Sequence, residues 1–139
     1  MKHRKTIKQA AQTIPVRKEE TYELQIDRLG TSGEGVGRYE NFTVFVPNAL
    51  PGENVFVTIE EVKNSYARGR IKQILHESVD RVAPRCELYE ECGGCQLQHF
   101  SYEAQLRAKR AQVADALTHI GKLPQLPVRE TLRAEAPWN

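Results

Sequence analysis

Phe42-Thr43-Val44-Phe45-Val46-Pro47-Asn48-Ala49-Leu50-Pro51-Gly52-Glu53-Asn54-Val55-Phe56-Val57-Thr58-Ile59 holds two runs of strand character around one turn. Phe42, Val44 and Val46 alternate with Thr43 and Phe45, the period of two that a half-buried strand requires. Val55, Val57 and Ile59 carry the next strand. Between them Pro51-Gly52 marks a tight turn, because Pro presets φ at the second turn position and Gly accepts positive φ at the third. Phe45 and Phe56 point opposite to their strands' aliphatic sets. That orientation makes them either stacking platforms or part of a second buried face.

The same pattern extends both ways. Upstream, Tyr22, Leu24 and Ile26 alternate with Glu23, Gln25 and Asp27. Gly30, Gly33, Gly35 and Gly37 follow as a turn-rich stretch. Their Gly33-x-Gly35-x-Gly37 spacing is wrong for a nucleotide-binding loop. A strand follows it, so no helix N-terminus would meet an anion there. Downstream of Lys63-Asn64-Ser65 a last strand runs through Ile71 to Leu75. Short strands with little room for helices between them predict a small antiparallel barrel over residues 16–76, since closure removes raw sheet edges. A core of this size is marginal, so support from the following segment is expected.

Residues 77–100 show no strand or helix period and hold all three cysteines. A helix is predicted over residues 101–121. Ser101 is its N-cap, and Tyr102, Leu106, Val113, Leu117 and Ile120 form one apolar face. Gly121 is its C′ residue, and Pro124 and Pro127 stop continuation. Residues 122–139 carry no nameable element. Trp138, the only Trp, is expected to lack its packing partner in this chain.

The net charge of +2 over 139 residues excludes a polybasic tail protein but hides an uneven distribution. From Met1 to Lys18 there are six Lys/Arg and no Asp or Glu. Residues 1–15 therefore read as a solvated basic arm, able to serve as a tether for a phosphate backbone. No apolar run spans a membrane and no apolar segment follows the basic start, so neither an anchor nor a secretory signal is expected. An odd number of clustered cysteines does not make a secreted disulfide scaffold. The expected location is cytoplasmic, with the thiols used for metal or redox chemistry.

The cysteine spacing is Cys86-x5-Cys92-x2-Cys95. Thiolates three positions apart on a turn can bind one metal centre, and Gly93-Gly94 let the backbone aim both inward. Thiolates select zinc, copper(I) or iron–sulfur clusters, and the spacing leaves zinc and iron–sulfur open. His99 would complete a Cys3His zinc set. A thioredoxin-like Cys-x-x-Cys needs a strand before it, and here a loop precedes it.

The string Cys86-Glu-Leu-Tyr-Glu-Glu-Cys92-Gly-Gly-Cys95-Gln-Leu-Gln98-His99, with Ser101-Tyr102-Glu103-Ala104-Gln105-Leu106 and Lys109 after it, resembles the cluster segment of the iron–sulfur RNA (uracil-5-)-methyltransferases. The zone before it resembles that family's TRAM domain, a five-stranded OB-like barrel. Gly33-Glu-Gly35-Val36-Gly37, Val44-Phe45-Val46-Pro47 and Leu50-Pro51-Gly52-Glu53 carry that likeness.

The resemblance implies a 4Fe–4S cluster with Cys86, Cys92 and Cys95 as three of its four ligands, the fourth lying beyond Asn139. It also implies an RNA partner, ribosomal RNA first and transfer RNA second. The family's S-adenosylmethionine site, nucleophilic cysteine and glutamate base have no match here. This chain is thus expected to be a monomer that contributes RNA binding and part of a cluster site, without the methyl-transfer machinery. The rival is a stand-alone zinc-stabilised RNA-binding module. A radical S-adenosylmethionine enzyme fits poorly, because its loop spacing is Cys-x3-Cys-x2-Cys.

OB-type barrels hold single strands with basic grooves and exposed rings. Arg68, Arg70 and Lys72 alternate with Gly69 and Ile71 and so share one strand face. Lys63 and Tyr66 lie in the turn before that strand, and Arg38 lies in the glycine-rich stretch with Tyr39. These six, Arg38, Lys63, Tyr66, Arg68, Arg70 and Lys72, are the candidate RNA-binding residues.

Overall fold

The structure, a computed structural model, describes residues 13–137. Most of the basic arm, and Trp138, lie outside the described residues.

Five strands close into a barrel: β1 Thr21–Leu29, β2 Gly35–Tyr39, β3 Phe42–Val46, β4 Asn54–Val62 and β5 Tyr66–His76, in the spatial order β1-β2-β3-β5-β4. Strand β4 pairs back onto β1, with Thr21 opposite Thr58 and Leu24 opposite Val55. The barrel is OB-like as expected, but one pairing is parallel: Thr43, Val44 and Phe45 of β3 face Tyr66, Ala67 and Arg68 of β5. The reason is arithmetic. An odd number of strands cannot close a ring with every neighbour antiparallel.

Strand β2 was not legible as a strand, because Gly35 and Gly37 read as turn residues. Both sit where another backbone presses close. A Cβ on Gly35 would lie 2.7 Å from the Ala49 carbonyl oxygen, and one on Gly37 would lie 2.8 Å from that of Gln25. The Pro51-Gly52 turn forms as predicted: Glu53 N–H donates to the Leu50 carbonyl and Gly52 has φ +85°.

Leu24, Ile26, Val44, Val46, Val55, Val57, Ile59 and Ala67 fill the barrel, with Val16 closing over them. A second, smaller cluster of Leu29, Leu50, Phe100 and Ala104 lies between the barrel and the chain that follows. It supplies the added support that a core of this size needs.

The segment after the barrel is more regular than its sequence indicates. Arg81 and Phe100 form an antiparallel bridge; Val82 N–H donates to the His99 carbonyl and Ser101 N–H to that of Asp80. These bonds close the base of the cysteine loop. Inside it lies one helical turn, α1 Tyr89–Cys92, ended by Gly93 in the left-handed conformation at φ 66°.

Helix α2 spans Tyr102–His119, and Ser101 caps it by accepting from Ala104 N–H. Its packing corrects the expected face. Ala104 and Gln105 are its buried residues, whereas Val113 is 51% and Ile120 84% exposed. Gln105 docks through its amide, which donates to the Leu97 and Phe100 carbonyls. The helix stop also differs. Ile120 and Gly121 N–H both donate to the Ala116 carbonyl, and the left-handed residue is Lys122 at φ 56°, not Gly121. Beyond it the chain runs back along α2. Thr131 donates its hydroxyl to the Leu106 carbonyl, Arg110 donates to the Val128 carbonyl, and the Tyr102 hydroxyl accepts from Ala134 N–H.

Candidate nucleic-acid face and cysteine loop

Register gathers part of the predicted stripe and separates the rest. Arg38, Thr43 and Tyr66 lie in one row across β2, β3 and β5; Phe45 and Arg68 lie side by side in the next. Phe45 and Tyr66 meet edge to face, ring centroids 5.5 Å apart at 77°. The Arg68 guanidinium stands 6.0 Å from the Tyr66 centroid. Arg38 and Arg68 are exposed, and both rings are half-buried. Cations beside available ring faces are what a single nucleic-acid strand uses. Phe45 thus belongs to the outer surface rather than to the barrel core.

Two of the other candidates are engaged in ion pairs, and the third stands on a bulge. Arg70 pairs with Glu60 at 3.0 Å and Lys63 with Glu61 at 2.8 Å, both well exposed. The Lys63 ammonium holds the Glu61 carboxyl below the usual carboxylate range. Lys72 is exposed on a bulge: Val57 opposes Ile71 while Phe56 opposes Gln73, leaving Lys72 between them without a counterpart. Among the described residues, the candidate cations outside ion pairs are Arg38, Arg68 and Lys72, and of these Arg68, opposite Glu61 of β4 in register, is the one beside the rings. Alternation along one strand could not show this, because Glu60 and Glu61 belong to another.

The cysteine loop faces the same patch. Phe45, Arg68, Arg81, Tyr89, Cys95 and His99 line a cleft of about 660 Å³ between barrel and loop. Its deep side is held by polar bonds. Glu53, fully buried, accepts from Arg81 at 2.6 and 2.9 Å and from Leu50 N–H at 3.0 Å. Burial opposes the charge on Glu53. The Arg81 bonds and the Leu50 and Ser78 N–H groups outweigh it and hold the carboxyl below its ordinary value.

His99 is buried in the loop wall. The Tyr89 hydroxyl donates its one proton to the Gln96 carbonyl, so at 2.7 Å it accepts from His99 Nδ1–H. Nε2 is then the lone-pair nitrogen, buried and without a partner among the described residues. Burial, reinforced by the Arg81 charge and partly offset by Glu53, lowers the imidazole to about 4, so the ring is neutral at pH 7. Sequence reasoning singled out His99 only as a possible zinc ligand. Tyr89 and Glu53 carried no signal of their own.

Cys86, Cys92 and Cys95 are free, exposed thiols. Cys95 lines the cleft and the other two do not. Among the described residues no three Cys, His, Asp or Glu side chains are gathered as a metal-holding group. The chemistry of the set still fits a thiophilic centre. Gly93 turns the chain after Cys92, and a Cβ on Gly94 would sit 3.3 Å from the Cys92 sulfur, so glycine keeps that space open. No helix among the described residues is long and apolar enough to cross a membrane.

Comparison with known proteins gives a consistent picture. Residues 15–72 match the TRAM domain. The chain is 48% identical over 125 residues to a protein of Clostridium tetani named as an uncharacterized RNA methyltransferase, covering 90% of this chain and 27% of that protein. Relatives of the same description occur in Clostridium acetobutylicum, at 46% identity, and Halalkalibacterium halodurans, at 42% identity. They cover 90% and 91% of this chain, and 28% of their own length in each case. The chain thus spans about 28% of the length of the curated relatives it matches. The solution structure of a conserved protein from Methanococcus maripaludis is 34% identical, covering 49% of this chain and 97% of its own, with a TM-score of 0.43.

Proposed function

We propose that this chain, which carries a TRAM domain and is related over 90% of its length to proteins named RNA methyltransferases, is the RNA-holding part of such an enzyme. The observation that carries the reading is the outer patch where Arg38 and Arg68 stand beside the half-buried rings of Phe45 and Tyr66. Rings accept any base by stacking, and guanidinium groups hold phosphates with little sequence preference. Such a surface positions a substrate strand and leaves the choice of nucleotide to other groups. Ribosomal RNA is the substrate proposed, with transfer RNA second. The likeness of the cysteine string to enzymes acting on 23S ribosomal RNA or transfer RNA supports that order. Methyl transfer from S-adenosylmethionine is assigned to the longer protein and not to any residue described here.

The test is salt-dependent RNA binding. Every phosphate released from a cationic side chain lowers the slope of log affinity against log salt by about 0.7 for a single strand. Arg38→Ala with Arg68→Ala should weaken binding and flatten that slope. Binding equal to the parent at every salt concentration would remove the patch from consideration.

For the loop, the proposed occupant is a 4Fe–4S cluster held by Cys86, Cys92 and Cys95, which would tie the exposed loop into a fixed shape. A second reading has one specific observation behind it. A metal-ligating histidine typically donates its other ring N–H to a neighbour. His99 does so toward Tyr89 while keeping Nε2 unpaired, which is the posture of a zinc ligand in a Cys3His set. Metal and sulfide analysis after anaerobic purification separates the two. Iron with sulfide supports the cluster; one zinc per chain, lost in His99→Ala, supports the second.

A further inference from the structure

We propose that the cleft between the barrel and the cysteine loop seats one nucleotide of a single RNA strand, its base against Phe45 and its phosphate on Arg68. The loop bearing Tyr89 and Cys95 is then a second wall of the RNA site. The inference rests on the RNA-binding reading and extends it from the barrel face to the open cleft beside it.

Three observations converge. The residues that make the outer patch attractive to a strand, Phe45 and Arg68, also line the cleft, so the patch continues into it without a break. Its volume of about 660 Å³ lies within the range of small-molecule pockets, large enough for one extruded nucleotide but too small for a duplex. The opposite wall offers an aromatic ring, Tyr89, and two polar side chains, Gln96 and His99. On the cluster reading His99 is no ligand, and its Nε2 remains an unpaired buried acceptor in that wall.

Charge sets the orientation. Arg81 is committed to Glu53, and Glu34 and Glu90 also line the cleft. A phosphate therefore belongs at the Arg68 end, beside Tyr66, with the base directed toward the loop. Pairing bases in a helix would keep them out of this pocket, so the site selects unpaired nucleotides.

The experiment uses the full chain and a short oligouridine strand. Affinity is read by fluorescence anisotropy, and contacts by ultraviolet cross-linking with mass spectrometry. Phe45→Ala should weaken binding about tenfold, the scale of one base–aromatic stack. Gln96→Trp, an exposed position on the loop side, should block the cleft and weaken binding similarly while leaving the barrel intact. Cross-links should map both to the segment containing Phe45 and to the loop from Tyr89 to His99. If the strand binds but both variants bind as the parent does, or cross-links stay on the barrel, the cleft is not the seat and the open-face reading stands alone. If the parent binds no strand at all, the RNA-binding reading falls and this inference with it.

Discussion

The Glu53 carboxylate, with no exposed surface, is gripped by the Arg81 guanidinium at 2.6 and 2.9 Å across 28 positions of sequence. Arg81 also donates to the Asn48 carbonyl at 2.6 Å. One side chain thus ties the Pro51-Gly52 turn to the Arg81–Phe100 bridge at the base of the cysteine loop. Removing one partner of a buried pair strands the other's charge, at a cost of about 3–5 kcal/mol. Arg81→Ala should lower stability to urea by that order. Replacing both partners with apolar residues, Glu53→Leu with Arg81→Met, should recover part of the loss. A drop under about 1 kcal/mol for Arg81→Ala would show that the pair does not clamp barrel to loop.

The pair also sets an acid limit. A carboxyl held below its ordinary value contributes stability that is present above the unfolded value and lost as pH falls through the folded one. Stability should decline as pH drops below the ordinary carboxylate range. Glu53→Gln should be less stable at neutral pH and show a flatter acid limb. Parallel acid limbs for parent and variant would contradict the assignment.

His99 acts in a different window. Its imidazole titrates at about 4 in the folded protein, against 6.5 when unperturbed. Between those values the unfolded chain binds the extra proton and the folded one does not, so stability rises with pH across that interval. NMR of the ring should show neutral His99 at pH 6 in the Nδ1–H tautomer. Titration near 6.5 would mean that the ring is not buried against the Tyr89 hydroxyl.

Gly35 tests the least legible strand. Its missing Cβ is what lets β2 pack against Ala49, where a methyl group would lie 2.7 Å from the carbonyl oxygen. Gly35→Ala should cost about 1–3 kcal/mol, the range for overpacking a tight site, measured by thermal or urea unfolding. A neutral effect would mean that the Leu50 turn moves away freely.

Helix α2 separates pattern from packing. Val113→Ser and Ile120→Ser, both at exposed positions, should change the stability of this chain by no more than about 0.5 kcal/mol. Gln105→Ala removes donors to two carbonyls and should cost about 1–3 kcal/mol. The reverse ranking would restore the apolar face as the docking face.

Four of the five barrel strands, the Pro51-Gly52 turn and the Ser101 cap were legible because each rests on short-range physics: side-chain alternation, fixed φ, and an N–H three residues away. Strand β2 was hidden, because its glycines answer to Ala49 and Gln25 rather than to their neighbours in sequence. In the basic stripe of β5, alternation placed Arg68 and Arg70 on one exposed face. Only the pairing of β4 with β5 revealed that Glu60 occupies Arg70, while Arg68 stays beside Tyr66.

Alternating strands, side chains able to grip a phosphate or a metal, and three thiols around a Gly-Gly are local properties, and the order of amino acids is enough to establish them. Folding in three dimensions was needed to establish which cations remain available, that Phe45 faces the cysteine loop across a cleft, and that His99 keeps one nitrogen unpaired. Closing an odd-stranded barrel forces one parallel pair, the strand order makes it β3 with β5, and that one long-range pairing brings Arg68 beside Phe45 at the cleft.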